Sequence, residues 1–371
     1  MFGFPFAARP TRRRGFRLVG VALAIWASLG AVGHGGSAAS LRARALCGPI
    51  ALSPRSEAEA RLFLDALDGR FGEHTLGEAA IVASRPTDPD ACEEALSRLV
   101  ALRSAAFTAL GGEGKTPPAA EKSARRLLTW IHREGSLVDY DAAASDVVRT
   151  LCEGRFNCVT ASVLYQELAR ELGIEAAAAQ TPGHVWTVAR FGDAWTHVQT
   201  TSPRGWDRLL APGHVVASGS AANDLTLEWI TDVELVAKIY YNRAILLAQA
   251  KDYSAAVEDA RAGLTLSPGD PTAAANLAAI VNNWSLLAQA EGDYLLASAL
   301  VLQGLAWFPE DETLQANDIF IHHSWACELA RQGRYAGARQ KLEAAVTRYP
   351  HEAALNEGLR WLERPCNFGT E

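Results

Sequence analysis

The sequence predicts an α+β protein: a helical leader, a mixed core carrying a small antiparallel sheet, and an all-α region of helical repeats after it. Three observations predict this. Residues 154–173 read as one amphipathic helix, because Ala161, Leu164, Leu168 and Leu172 recur at helical spacing while Gln166, Glu167, Arg170 and Glu171 fall elsewhere on the wheel. The chain from 174 to 201 breaks into three strand-like runs divided by turn residues. Pro268, Pro309 and Pro350 stand 41 residues apart, and each closes a similar unit.

The 371 residues, 49% hydrophobic and 21% charged, are globular material with room for roughly two or three domains. A net charge of −7 offers no attraction to a polyanion, so no nucleic-acid partner is expected. At the N-terminal end, Arg12, Arg13, Arg14 and Arg17 precede an apolar run over 18–33 and the small residues Ser37, Ala38 and Ala39. These are the three regions of a secretory signal. An uncleaved anchor is the rival reading, since Arg42 and Arg44 follow and the run is only a little short for a span. Residues 1–39 are therefore expected to be a signal peptide or signal anchor. The remainder is expected outside the cytoplasm, in a periplasmic setting, touching membrane only through that segment.

Export bears on Cys47, Cys92, Cys152, Cys158, Cys327 and Cys366, which could pair in an oxidising compartment. A bridge from Cys47 to Cys92 is one use for two of them. With no C-x-x-C motif, neither a structural metal nor any cofactor is expected.

Residues 40–115 read as a helical N-terminal region. SEAEARLFLDALDGRFG supplies one amphipathic helix. Asp88-Pro89 starts another that stops at Gly111-Gly112, with Leu96, Leu99, Val100 and Phe107 turned inward. GEGKT, residues 112–116, is no phosphate loop, because Ala109 stands where the first glycine is required and Pro117-Pro118 follow. Those prolines open the next helix, whose apolar stripe is Ala124, Leu127, Leu128 and Ile131. His132, beside the stripe, reads as a surface or packing residue. A loop over 136–146 leads to the short helix VVRTLCEG and on to Cys158.

Asn157 offers a side-chain oxygen just before the 154–173 helix, and Gly173 tolerates positive φ just past it. Cys158 therefore lies in the first turn, where unpaired N–H groups and the helix dipole favour a thiolate. A thiolate nucleophile needs a base, and the base needs an orienting group. His184 opens the second strand. Trp195, His197 and Gln199 share one face of the third, with Gln199 placed to hold an imidazole. His197 reads as a supporting group, Trp186 and Trp195 as core or cleft-wall residues, and Asn157 and Thr160 as cap and helix-surface residues.

FNCVTASVLYQELARELGI, PGHVWTVARF and the W-T-H-V-Q-T-T run resemble the transglutaminase-like superfamily, in particular its SirB1-like branch, over roughly a quarter of the chain. The resemblance implies a papain-like core over 116–205 and a Cys-His-acid triad. Cys158 matches the nucleophile and His184 the base. Gln199 stands where the family carries Asp, sometimes Glu or Asn.

The Gly-, Pro- and Ser-rich stretch 206–232 reads as a linker or surface excursion. Within 233–364, KDY, GDY and GRY end at Tyr253, Tyr294 and Tyr335, each 15 residues before its proline. Small residues recur at Ala256, Ala297 and Ala338, and again at Gly263, Gly304 and Ala345. This register resembles tetratricopeptide repeats extended beyond their frame of about 34 residues, with HEAALNEGLRWLER as the capping helix. The tyrosine is expected to pack across the turn, and the adjacent His322 and His323 make a poor metal pair. Such arrays present a concave surface to a protein or peptide partner.

Two functions are compatible with the sequence. One is an exported cysteine hydrolase or acyl-transferase acting on an amide bond in a protein or peptide through Cys158, His184 and Gln199. The other is an inactive scaffold of the same fold whose repeats mediate protein-protein interaction.

Overall fold

The computed structural model describes residues 54–86, 89–111, 116–181, 183–207 and 228–364. The expected signal or anchor, Cys47, Cys366, most of GEGKT and most of the 206–232 excursion lie outside the described residues. The order is α1 (Glu57–Asp65), α2 (Leu76–Ala83), α3 (Pro89–Leu110), α4 (Pro117–Arg133), β1 (Asp139–Tyr140), α5 (Val147–Glu153), β2 (Arg155–Phe156) and α6 (Cys158–Glu171). Then come β3 (Glu175–Thr181), β4 (His184–Phe191), β5 (Ala194–Val198), β6 (Trp206–Asp207) and β7 (Glu228–Ile230). The remaining helices are α7 (Asp232–Gln249), α8 (Tyr253–Leu266), α9 (Pro271–Ala290), α10 (Tyr294–Trp307), α11 (Glu312–Arg331), α12 (Tyr335–Arg348) and α13 (Ala353–Leu362). This is a mixed, mainly helical protein with small sheets.

The centre of the core is α6. It packs against α2, α3, α4 and α7 and against strands β3 and β4. The amphipathic expectation is corrected here: every residue from Val159 to Ala169 is buried. Its buried polar groups have partners, as burial demands. Glu167 Oε2 accepts the Gly77 N–H at 2.9 Å, and Gln166 Nε2 donates to Thr187 Oγ1 at 3.3 Å. The short helix α2, unmarked by any periodicity because Leu76, Ala79, Ala80, Ile81 and Ala83 are all apolar and all buried, supplies one of the covering walls.

The inward face of α3 also differs from expectation. Ala95, Leu99, Ala106 and Leu110 are buried, whereas Val100 and Phe107 are 63% and 54% exposed. Residues at steps of three and four share a helix face, so Val100 and Phe107, one residue off the Leu99 and Ala106 positions, rotate outward. The α4 stripe of Ala124, Leu127, Leu128 and Ile131 is buried as expected.

The main sheet has the order β6-β5-β4-β3-β7, antiparallel throughout. Its three central strands follow the expected runs, and the ends of the supposed excursion supply both edge strands. Val185, Ala189, Phe191 and Val198 join the main core, while Ala179, Trp186 and Val188 form a second cluster. The loop expected over 136–146 contains β1, which pairs parallel with β2.

From α8 onward the geometry repeats every 41 residues. Helices of 14 residues start at Tyr253, Tyr294 and Tyr335, and helices of 20 residues, α9 and α11, lie between them. The C-caps Ser267, Phe308 and Tyr349 have φ of −132°, −132° and −127° with ψ of 71°, 70° and 70°. The extension beyond a shorter repeat frame is thus inside the long helix. Tyr253 stacks on Trp284 of α9 with centroids 6.4 Å apart, and Tyr294 on Trp325 of α11 at 6.2 Å. The tyrosine therefore reaches the next long helix, where a flat indole meets it, instead of stopping at its own turn.

Candidate active site

Asn157 sets the position of the cysteine. Its side-chain oxygen accepts the N–H groups of Val159 at 2.9 Å and Thr160 at 3.1 Å, and Thr160 Oγ1 accepts the Asn157 N–H at 3.0 Å. This reciprocal capping box fixes where α6 begins. Ala161 N–H returns to the Asn157 carbonyl. The Cys158 N–H is left without an acceptor among the described residues, at the positive end of the helix.

Cys158 and His184 are brought together across the α6 and β4 starts. Burial opposes ionisation of the Cys158 sulfur, but the His184 hydrogen bond, the Val185 N–H, the imidazolium charge and the Val159 N–H outweigh it and hold the thiol below its ordinary range. The same hydrogen bond with Cys158 raises His184 against the effect of burial, and Gln199 and the thiolate charge add to the rise. Both shifts favour thiolate with imidazolium over thiol with imidazole.

The orienting contact is direct: His184 Nε2 lies 2.8 Å from Gln199 Oε1. With the amide oxygen as acceptor, Nε2 carries the proton and Nδ1 remains for the sulfur. Gln199, just past β5, is itself held. Its N–H donates to the Gly205 carbonyl at 2.6 Å, and its carbonyl accepts from Ser202 N–H at 3.2 Å. A Cβ on Gly205 would lie 2.0 Å from the Gln199 carbonyl oxygen, so glycine is required for that close approach. The next residue, Thr200, is anchored to two helices by a 3.1 Å contact of its hydroxyl with Ser162 Oγ and a 2.9 Å contact of its carbonyl with His132 Nε2. His132 is thus a packing residue, and burial lowers its pKa.

Trp186 lies between two imidazoles. Its ring stacks on His184 at 5.7 Å and on His197 at 5.5 Å, and its Nε1 donates to His197 Nδ1 at 2.6 Å. His197 supports the tryptophan, which in turn covers the His184 imidazole. Trp195 meets Trp229 edge-on at 4.6 Å, a wall and not a stacking platform.

Sequence reasoning missed Tyr140, Gly205 and Thr200. Tyr140 stands beside the cysteine: burial raises its pKa first, and the Cys158 charge adds to the rise. No local periodicity marks it, because a two-residue strand has none. Cys92, Cys152, Cys158 and Cys327 are free thiols, and no group of three or more His, Cys, Asp or Glu that could hold a metal occurs among the described residues. His322, expected to be a poor metal partner for His323, is buried against Asp318 and Ser298.

No family model, curated protein or solved structure matches the chain.

Proposed function

We propose that the protein is an exported cysteine hydrolase or acyl-transferase with a transglutaminase-like core, acting on amide bonds of a protein or peptide. The observation that carries this is the 2.8 Å contact of His184 Nε2 with Gln199 Oε1, beside a Cys158 and a His184 that displace each other's ionisation toward the ion pair. The Cys158 thiolate adds to the amide carbonyl, and the Cys158 N–H at the start of α6 is a donor for the developing oxyanion. Collapse breaks the C–N bond, and the departing amine takes its proton from His184. Water or a second amine then attacks the thioester, returning the proton to His184 and the electron pair to sulfur. The amide of Gln199 suffices as orienter because the thiolate itself neutralises the imidazolium. Tetratricopeptide-like repeats would hold the protein that carries the substrate bond.

Alkylation of Cys158 by iodoacetamide against pH, read by mass spectrometry, tests this. Burial raises Cys92, Cys152 and Cys327, so among the described cysteines labelling near neutral pH selects Cys158, and peptide mapping reads its modification apart from Cys47 and Cys366. The expected profile keeps a reactive plateau well below ordinary thiol titration, and His184→Ala abolishes it. A profile of an ordinary thiol, unchanged by His184→Ala, would sink the reading.

The second reading, an inactive scaffold binding partners through its repeats, is favoured by the amide at Gln199, which cannot stabilise imidazolium by charge. It requires partner capture that survives Cys158→Ala.

A further inference from the structure

The small sheet beside Cys158 has an open edge. β1 pairs with β2 in register Asp139 to Arg155 and Tyr140 to Phe156, and that sheet holds these two strands alone among the described residues. Asp139 N–H donates to the Gly154 carbonyl at 3.0 Å and Asp141 N–H to the Phe156 carbonyl at 2.9 Å. In a parallel ladder, alternate residues turn their N–H and C=O to opposite sides. The Tyr140 N–H and C=O, between two residues committed to β2, therefore point to the unpaired side.

The strand that β1 pairs with leads to the candidate nucleophile. β2 runs from Phe156 through Asn157 directly into Cys158, so the residue paired with Tyr140 is two positions from the sulfur. The Tyr140 ring meets the Phe156 ring edge-on at 5.7 Å while remaining 54% exposed, and Val138, just before β1 with its N–H on the Gly154 carbonyl at 2.9 Å, is 73% exposed. An exposed strand edge with apolar side chains at alternate positions is a template for one more extended chain.

We propose that the acyl donor is a main-chain amide in an extended, unfolded polypeptide segment, which adds as a strand to the open edge of β1, pairs with the Tyr140 N–H and C=O, and lays large apolar side chains against Val138 and Tyr140. This rests on the cysteine-hydrolase or acyl-transferase reading above and narrows it, excluding a glutamine side-chain amide as the donor. The ladder fixes the main chain of the added strand beside the residues that lead to Cys158, whereas a side-chain carboxamide makes no use of the edge's N–H and C=O.

The test uses the full chain and acetylated tripeptidyl chloromethyl ketones, in which the thiolate forms a C–S bond and chloride leaves. Each position carries in turn alanine, phenylalanine or an N-methylated alanine, and iodoacetamide is the reference. Phenylalanine at one position is expected to speed Cys158 labelling about tenfold over alanine, and N-methylation at one position to slow it about tenfold, the size of one lost hydrogen bond. Rapid iodoacetamide labelling with tripeptide rates indifferent to both changes would overturn the strand-addition proposal and leave the assembled nucleophile intact. Ammonia release from a glutamine-containing peptide with no main-chain cleavage would also overturn it. Slow labelling of Cys158 by iodoacetamide as well would overturn both.

Discussion

At the residue scale, the candidate chemistry depends on an imidazole whose two nitrogens are both spoken for. Gln199 Oε1 holds Nε2, which leaves Nδ1 for the Cys158 sulfur that raises the ring's pKa. Gln199→Ala removes the acceptor and leaves the ring free to turn, and low-pH alkylation of Cys158 should fall by roughly tenfold or more. Gln199→Glu keeps the reach and adds a charge, which raises His184 further. A higher His184 pKa keeps the imidazolium to higher pH, so the alkaline limb of the activity profile should move to higher pH while the plateau survives. An unchanged limb would show that the contact does not exist in solution. Gly205→Ala alters no reacting group, yet it forces the Gln199 backbone to move and should reproduce much of the Gln199→Ala loss. Wild-type reactivity in that variant would contradict the close approach.

At the element scale, burial and not composition decides which side chains matter. On α3, Leu99→Ala should cost about 2–5 kcal/mol, whereas Val100→Ser or Phe107→Ser should stay within about 0.5 kcal/mol, as measured by urea denaturation. The opposite order would place the inward face where the sequence pattern first suggests it. In the repeats, a Cβ on Gly263 would meet the Tyr241 ring at 2.3 Å, while one on Gly304 finds its nearest atoms at 3.1 Å. The residues 41 and 82 positions after Tyr241 are Asn282 and His323, so the tight requirement belongs to the first repeat alone. Gly263→Ala should cost about 1–3 kcal/mol by overpacking, and Gly304→Ala clearly less. Equal midpoints for the two variants in thermal denaturation would refute this. The periodic capping, Asp252 to Ala255 N–H and Asp293 to Leu296 N–H, lapses at Arg334, which caps nothing.

At the scale of the whole molecule, the N-terminal helices and the first repeat share one set of buried charges. Arg85, at a positive φ of 51°, binds Glu59 of α1 at 2.5 Å and also Asp259 of α8. Arg243 of α7 binds the other Asp259 oxygen at 2.5 Å and the Ala83 carbonyl at 2.8 Å, and Tyr240 donates to Glu59 at 2.8 Å. Arg170 of α6 adds a two-pronged contact to Asp232 at the start of α7. Breaking such a network strands a buried charge, so Asp259→Ala should cost about 3–5 kcal/mol. The loss should appear as one earlier transition in both helicity and Cys158 protection. Two separated transitions would mean independent domains. Burial raises the Glu59 pKa, but its partners Arg85, Arg55 and Tyr240 outweigh this and hold it below its ordinary value. Its contribution is therefore complete above the unfolded value of about 4.3 and lost as pH falls through the lower folded value. Glu59→Gln should flatten that acid sensitivity.

The sequence by itself determined what short-range chemistry writes: the Asn157 cap that places Cys158 in a first turn, the strand that opens on His184, the order of cysteine, histidine and amide, and the 41-residue period. Each of these is set by residues within a few turns of one another or by plain recurrence. Only the tertiary structure decided that α6 is buried all round from Val159 to Ala169, that Val100 and Phe107 face outward, that β1 lies with an open edge beside the strand leading to Cys158, and that Arg85 joins Glu59 to Asp259. Those outcomes depend on which surfaces the chain brings together from far apart. Buried ion pairs, two-residue strands and uniformly apolar helices leave no period in the sequence from which such meetings can be read.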